Sequence, residues 1–330
     1  MSNGSRLGLA LATGDLTLPD AGRIAVFDPM PDVDLSALPQ NRCHVLSAFS
    51  PTHAALSAQG FECGLEPDGR YGAAIVFAAR AKAQTLSVIA RACGVTDGPV
   101  VIDGAKTDGI ESVLKACRAR TDVSAALSKA HGKLFWFQAG ADFDDWAIAG
   151  SHNIGDGFVT APGVFSADAI DPASRLLADH LPQKLGARLV DLGAGWGYLS
   201  ARVLVRSTVQ QIDLVEANHA ALTCAQRNVA DARAKFHWSD VTGWTPPEPA
   251  DCVIMNPPFH TGRSNEPDLG RAFIQAAARC LKPRGQLWMV ANRHLPYETE
   301  LTAQFRDIKE TGGDNRFKIL CAVNPARKAR

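Results

Sequence analysis

The chain has 330 residues, 34 lysines and arginines against 34 aspartates and glutamates, and 46% hydrophobic residues. That balance gives no direct hint of a nucleic-acid partner, and the length suits two domains with a core each. No basic segment followed by an apolar core opens the sequence, and no apolar run approaches the roughly 20 residues that cross a bilayer, so a cytoplasmic protein with no membrane partner is expected.

The first half alternates short apolar runs with helical patterns. GRIAVFD, CHVLSAF, GAAIVFAA, GPVVIDG and the KLFWFQ that begins at Lys133 read as strands, while AKAQTLSVIARAC and GIESVLKACRAR have helical spacing. Val101–Lys106 copies the outline of a strand that ends in an acid and a glycine, as a degenerate duplicate of a later segment would. This half has no GxGxG and no Asn-Pro-Pro. It is expected to be a domain over 1–145, followed by a glycine-rich crossing and lead-in over 146–170. The eight cysteines, from Cys43 to Cys321, are dispersed and several sit inside apolar patterns. Buried free thiols are expected, without disulfides or a metal site.

The second domain, 171–330, opens with Asp171 as N-cap and Pro172 in the first helical position. Its chemistry is concentrated in 187–260. Leu189 and Val190 lead into Asp191, and Gly193, Ala194, Gly195 and Gly197 then turn tightly into the run LSARVLVR, the arrangement with which α/β sheets hold nucleotide-like ligands. Tyr198 stands where a dinucleotide fingerprint has its third glycine, which argues against a dehydrogenase. The next strand ends in Glu216, about 20 residues on, where a carboxylate can take both hydroxyls of a ribose. Asp240 follows a further strand and suits an adenine amino group. Ala217 and Val241, beside these two acids, complete the expected cofactor set.

A third strand, Asp251 to Met255, stops at Asn256-Pro257-Pro258-Phe259, because two prolines cannot continue a paired central strand. The Asn256 amide oxygen and the Pro257 carbonyl can accept the two N–H bonds of one exocyclic amine, while Phe259 offers a face on which a base stacks. Such a site presents the amine to a methyl donor by orientation alone. His260 is expected to pack or position. Arg263, Arg293, Arg316 and Lys318 are candidates for phosphate contacts, in a carboxyl-terminal region where basic residues outnumber acidic ones from Lys282 onward, and 261–270 suits a flap.

These motifs resemble those of the class I S-adenosylmethionine-dependent methyltransferases. The NPPFH ending, with PGVFSADAID at 162–171, GQLWMVANRHLPYE at 285–298 and GDNRFKILCAV at 313–323, resembles the RsmC/RlmG-type ribosomal RNA guanine-N2 methyltransferases. The resemblance implies α/β architecture with two tandem Rossmann-like domains. The first is degenerate and positions RNA or supports its neighbour, and the second is a seven-stranded sheet with an antiparallel last strand. It implies S-adenosylmethionine as cofactor, held by Asp191, the glycine loop, Glu216 and Asp240, with Asn256 and Phe165 of the lead-in bordering it. Guanine N2 in ribosomal RNA, of the small subunit before the large, is the implied acceptor, on naked RNA or a ribosomal subunit. Asn-Pro-Pro-aromatic motifs also serve adenine N6 and protein glutamine amides, so those acceptors stay open. A non-catalytic RNA-binding assembly factor would need a broken motif. No metal is expected, and a monomer is favoured over an oligomer.

Overall fold

The computed structural model describes residues 5–148, 150–258 and 267–326, and the chain forms two compact units, Met1–Gly150 and Ser151–Arg330. The first contains α1 (Arg6–Thr13), β1 (Ile24–Phe27), β2 (Cys43–Leu46), α2 (Ser50–Ala58), β3 (Glu62–Gly64) and β4 (Ala73–Phe77). It continues with α3 (Lys82–Val95), β5 (Pro99–Ala105), α4 (Ile110–Arg118), β6 (Leu127–Lys129) and β7 (Gly132–Gln138). Its sheet has the order β3-β2-β1-β4-β5-β7-β6. The first five strands are parallel, and β7 runs antiparallel to both β5 and β6.

The second unit opens with a small hairpin, β8 (His152–Asn153) and β9 (Val159–Thr160), then α5 (Pro172–His180), β10 (Arg188–Leu192), α6 (Tyr198–Leu204), β11 (Gln211–Glu216), α7 (His219–Asn228) and β12 (Ala234–Trp238). β13 (Ala250–Met255), α8 (Pro267–Cys280), β14 (Leu281–Asn292), α9 (Glu298–Gln304), β15 (Phe305–Gly313) and β16 (Phe317–Pro325) follow. Its sheet, β12-β11-β10-β13-β14-β16-β15, repeats the order of the first. β16 is antiparallel to β14 and to β15. The chain therefore has the expected class, two seven-stranded α/β sheets in tandem, the second with its last strand antiparallel and inserted between β14 and the edge strand β15.

The shared order corrects one expectation. Val101–Lys106, which copies the outline of the strand before the glycine loop, falls on β5 up to Ala105 and so corresponds to β14. The counterpart of β10 is β1, which runs into Asp28-Pro29 where β10 runs into the glycine loop. The segment expected to cross between the halves divides. Trp146 stays in the first unit, with the Arg120 guanidinium 4.7 Å over its ring, while the β8–β9 hairpin belongs to the second. Helices α1 and α2 and the strands β3 and β6 were not read from the sequence, the two strands because three residues are too few to show a period. Among the described residues no helix is long and apolar enough to cross a membrane, and all eight cysteines are free.

The core of the second unit explains why its strands read as continuous apolar runs. Successive side chains point to opposite faces of the sheet, and both faces are covered by helices. Leu189, Ile212, Leu214 and Ile254 pack with Leu177, Leu199 and Val203 on one face. Val190, Leu192, Val215, Val253 and Met255 pack with Phe273, Ile274 and Ala277 on the other. At the end of the sheet away from the glycine loop, Asp251 Oδ2 accepts from the N–H groups of Ala187 and Arg188, each at 2.9 Å, and Lys282 Nζ reaches Oδ1. Gly186 enters this corner at φ 100°, and a Cβ there would lie 2.3 Å from that of Asp251. Gly186→Ala combines left-handed strain with displacement of a hydrogen-bonded carboxylate. It is expected to destabilise the fold by about 3 kcal/mol, read as a lower urea midpoint.

Candidate active site

Sheet order alone singles out one place on the second unit. β10 pairs with β11 on one side and with β13 on the other, so the chain changes direction of travel between β10 and β13. The crevice outside the carboxyl ends of strands at such a reversal is where doubly wound sheets bind ligands. Here β10 delivers Asp191 and the glycine loop, and β13 delivers Asn256.

The loop closes tightly on itself. Gly193 and Ala194 donate their N–H groups to the Val215 carbonyl at 2.9 and 3.1 Å, and Gly197 donates to Ala194 at 2.9 Å. Gly193, Gly195 and Gly197 have φ of 72°, 56° and 89°. A Cβ on Gly197 would press on Val229 at 2.8 Å, whereas one on Gly195 would meet nothing within 4 Å among the described residues. The bare edge of Gly195 is thus the part of the loop that a ligand can approach.

Two acids support the loop. Glu216 accepts from Gly195 N through Oε2 and from Asn218 N through Oε1, both at 2.8 Å. Burial pushes its carboxyl above the usual range, opposed by the N–H groups of Asn218, Gly195 and Ala217. Asp191 is 1% exposed. Its Oδ2 accepts from Ser200 Oγ at 2.7 Å, and its Oδ1 is buried with no hydrogen-bond partner among the described residues. Burial pushes the Asp191 carboxyl up to about 7, with the Ser200 bond opposing and the Glu216 charge adding to the rise. An orphaned buried carboxylate oxygen suits a cationic ligand, since a positive group would supply the missing partner. The residues present therefore fit a sulfonium-bearing nucleoside cofactor.

A cleft is lined by Phe165, Asp171, Ser174, Gly193, Ala194, Gly195, Trp196 and Asn256 among others. Four of the expected residues that line it are Phe165, Gly193, Ala194 and Gly195, and Asn256 is the fifth. Phe165 is 57% exposed. Its carbonyl accepts from Trp196 Nε1 at 3.1 Å, which pins the lead-in to the loop. Asn228 adds a second tie. Its Nδ2 donates to the carbonyls of Val159 and Trp196, and its Oδ1 accepts from Val159 N, each at 2.7 Å.

Asp191, Gly197, Glu216, Ala217, Asp240 and Val241, also expected at the cofactor site, do not line this cleft: Asp191 and Glu216 stand behind the loop as its buried supports. Asp240 accepts from the Thr242 N–H and hydroxyl at 2.8 Å each, Val241 is buried in the core, and the Ala217 carbonyl accepts from Trp238 Nε1 at 2.8 Å. Pro257 is buried and Pro258 half-buried beside Asn256. Phe259, His260 and Arg263, with the proposed flap up to 266, lie outside the described residues. Lys318 is corrected: it is buried, donating from Nζ to the Leu295 carbonyl at 2.8 Å and to Glu298 at 2.5 Å, so it is no surface phosphate contact. Arg293 is exposed and paired with Glu310 at 3.0 Å, while Arg316 is exposed with its guanidinium over Phe317.

The sequence did not reveal the part played by Asp171, Ser174 and Ser200. Asp171 reads only as a helix cap, and it is one, accepting from Ser174 N at 2.7 Å. The same Oδ2 accepts from Asn256 Nδ2 at 2.9 Å, and Ser174 Oγ accepts from that nitrogen at 2.9 Å. These partners are more than 80 positions from Asn256, and no local pattern announces them.

A doubly wound sheet with an antiparallel closing strand, carrying an acid–glycine loop and an Asn-Pro-Pro turn on either side of its reversal, defines a methyltransferase-type domain. The description of the methyltransferase small domain family matches residues 156–321, and the chain belongs to that family. It is similar to the ribosomal RNA small subunit methyltransferase C of Hahella chejuensis, at 29% identity over 325 residues, 92% of this chain and 94% of the relative. It is also similar to the ribosomal RNA large subunit methyltransferase G of Streptomyces avermitilis, at 34% identity over 165 residues, 49% of this chain and 43% of that one. Among solved structures, the 16S rRNA N2 methyltransferase (RsmC) of T. thermophilus, in complex with AdoMet and guanosine, shares the fold. Its TM-score is 0.80 at 24% identity, over 98% of this chain and 92% of that chain.

Proposed function

We propose that the protein is an S-adenosylmethionine-dependent methyltransferase that modifies the exocyclic N2 of a guanine in small-subunit ribosomal RNA. The observation that carries this reading is the pairing, across one cleft, of the Gly195 edge with an Asn256 side chain whose Oδ1 has no partner among the described residues. The acceptor class rests on likeness to relatives named as ribosomal RNA methyltransferases, one matched along nearly its whole length.

S-adenosylmethionine supplies the methyl group as a sulfonium. Asp191, the glycine loop and Glu216 would hold it, and Asp240 would serve the adenine. Asn256 Oδ1 and the Pro257 carbonyl accept the two N–H bonds of the amine, which leaves the nitrogen lone pair as the only group free to meet the methyl carbon. The new N–C bond forms as the S–C bond breaks, and the nitrogen then loses a proton to solvent, so no strong side-chain base is required. A guanine reaches this depth only when it leaves its helix, with Phe259 as its stacking face. The first unit, without a glycine loop or Asn-Pro-Pro turn, serves to position RNA or support the second.

Transfer of tritium from labelled S-adenosylmethionine to small- and large-subunit RNA, as naked RNA and as subunits, tests the reading. Label recovered as N2-methylguanine in small-subunit RNA is expected. Label found only in large-subunit RNA, in adenine or in protein amides, or in no acceptor at all, overturns the assignment.

A further inference from the structure

We infer that Asp171 is a positioning residue that sets the polarity of Asn256, fixing its amide so that only an oxygen acceptor faces the substrate. This rests on the function proposed above, because it concerns how the same site selects an amine.

An asparagine side chain has a donor end and an acceptor end of nearly equal size, so its orientation depends on its neighbours. At Asn256 the decisive neighbour is Asp171. An ionised carboxylate oxygen can only accept, and Asp171 Oδ2 already accepts from the Ser174 N–H at 2.7 Å. The Asn256 atom 2.9 Å from that oxygen must therefore be the NH2 group. Its second hydrogen goes to Ser174 Oγ, also at 2.9 Å. A hydroxyl can serve as donor or acceptor and so adapts to the choice that Asp171 makes. Both amide hydrogens are spent, and the cleft meets Oδ1 alone. Asp171 and Ser174 themselves line that cleft.

The consequence is selection by hydrogen-bond sense. A flipped amide would offer two donors and welcome a carbonyl such as guanine O6, placing the wrong edge of the base at the methyl donor. With the amide locked, a carbonyl meets an acceptor and is rejected, while an amine meets the partner it needs. One side chain thus both caps α5 and orients the group that holds the substrate nitrogen, joining the first helix of the unit to the end of β13.

The two roles separate by substitution. Serine caps a helix as well as aspartate does, but its side chain is too short to reach Asn256, whereas asparagine keeps an acceptor oxygen at full length. For Asp171→Ser we expect kcat to fall by roughly 10- to 100-fold, with the melting temperature and the Kd for S-adenosylmethionine close to wild type. Asp171→Asn should restore much of the lost rate. A readout independent of activity is the pair of Asn256 side-chain amide resonances in 15N-labelled protein, assigned by their absence from Asn256→Ala. They should be protected from exchange in the wild type and lose that protection in Asp171→Ser. Wild-type kcat in Asp171→Ser, a loss that tracks cofactor affinity or melting temperature, or unchanged Asn256 resonances would each overturn the inference. If the wild type methylates no RNA, the functional proposal fails, and the resonances still decide the role of Asp171.

Discussion

Asn256→Ala lowers kcat for methyl transfer by about 10³-fold, while the Kd for S-adenosylmethionine changes by less than about tenfold. The asymmetry follows from where the side chain is anchored. Asn256 bonds to Asp171 and Ser174 of the α5 cap, whereas the loop is supported by Glu216 and Val215. Removing the amide leaves the glycine loop standing and deletes the acceptor that orients the amine, an interaction needed mainly when the nitrogen lone pair must point at the methyl carbon. Asn256→Asp does not rescue the rate, because it sets a second carboxylate beside Asp171 Oδ2, now 2.9 Å from Nδ2. Single-turnover transfer with isothermal titration of the cofactor separates the two quantities. A variant that lost cofactor affinity and kcat in equal measure would place Asn256 in the cofactor site alone.

The second large effect is expected at Asp191. Asp191→Asn weakens S-adenosylmethionine binding at pH 8 by roughly 100-fold, the scale of a lost hydrogen bond or ion pair to a buried charge. The pH dependence gives the sharper signature. The folded-state value of about 7 lies above the ordinary carboxyl value of 3.8. Between these limits the folded protein keeps a proton that the unfolded chain has released, so the contribution of this group to stability declines as pH rises through that window. Above about 7 the carboxylate is ionised with Oδ1 unpartnered, and a bound cation relieves the cost. Affinity for S-adenosylmethionine should therefore climb from pH 5 to pH 8 in the wild type and stay nearly flat in Asp191→Asn. Over the same range the stability of the ligand-free wild type should fall relative to the variant. Equal slopes for the two proteins would show that the Asp191 charge does not face the ligand.

Much of the second unit was legible because its signals are local. Proline after Met255 ends a strand, three spaced glycines after Asp191 make a loop, and apolar runs between them mark strands buried on both faces. The antiparallel closing pair was also readable, from its likeness to a known family. What escaped notice depends on distance in the chain. Asp171 looked like a cap because capping is decided within three residues, whereas its contact with Asn256 is created by the sheet. Lys318 looked like a surface cation because charge gives no hint of burial, and here its Nζ is taken up by Glu298 and the Leu295 carbonyl. The first unit misled in a similar way. An acid and a glycine after an apolar run at Val101–Gly104 imitate the outline of β10, yet strand pairing rather than outline determines which strand is the counterpart, and it assigns that place to β1.

The repetition of one strand order in both halves has a consequence for how the chain is made. Two tandem sheets built to the same plan present equivalent strands, and partly folded tandem domains are prone to exchange such elements. The outer strands of the first sheet are only three residues long, Glu62–Gly64 and Leu127–Lys129. In the second, the free side of the closing edge is formed by β15, which exposes Arg306, Asp307, Lys309 and Glu310. Short or charged borders offer a poor template for a stray strand. As synthesis proceeds, borders of this kind favour completion of the first sheet without capture of the strands that follow.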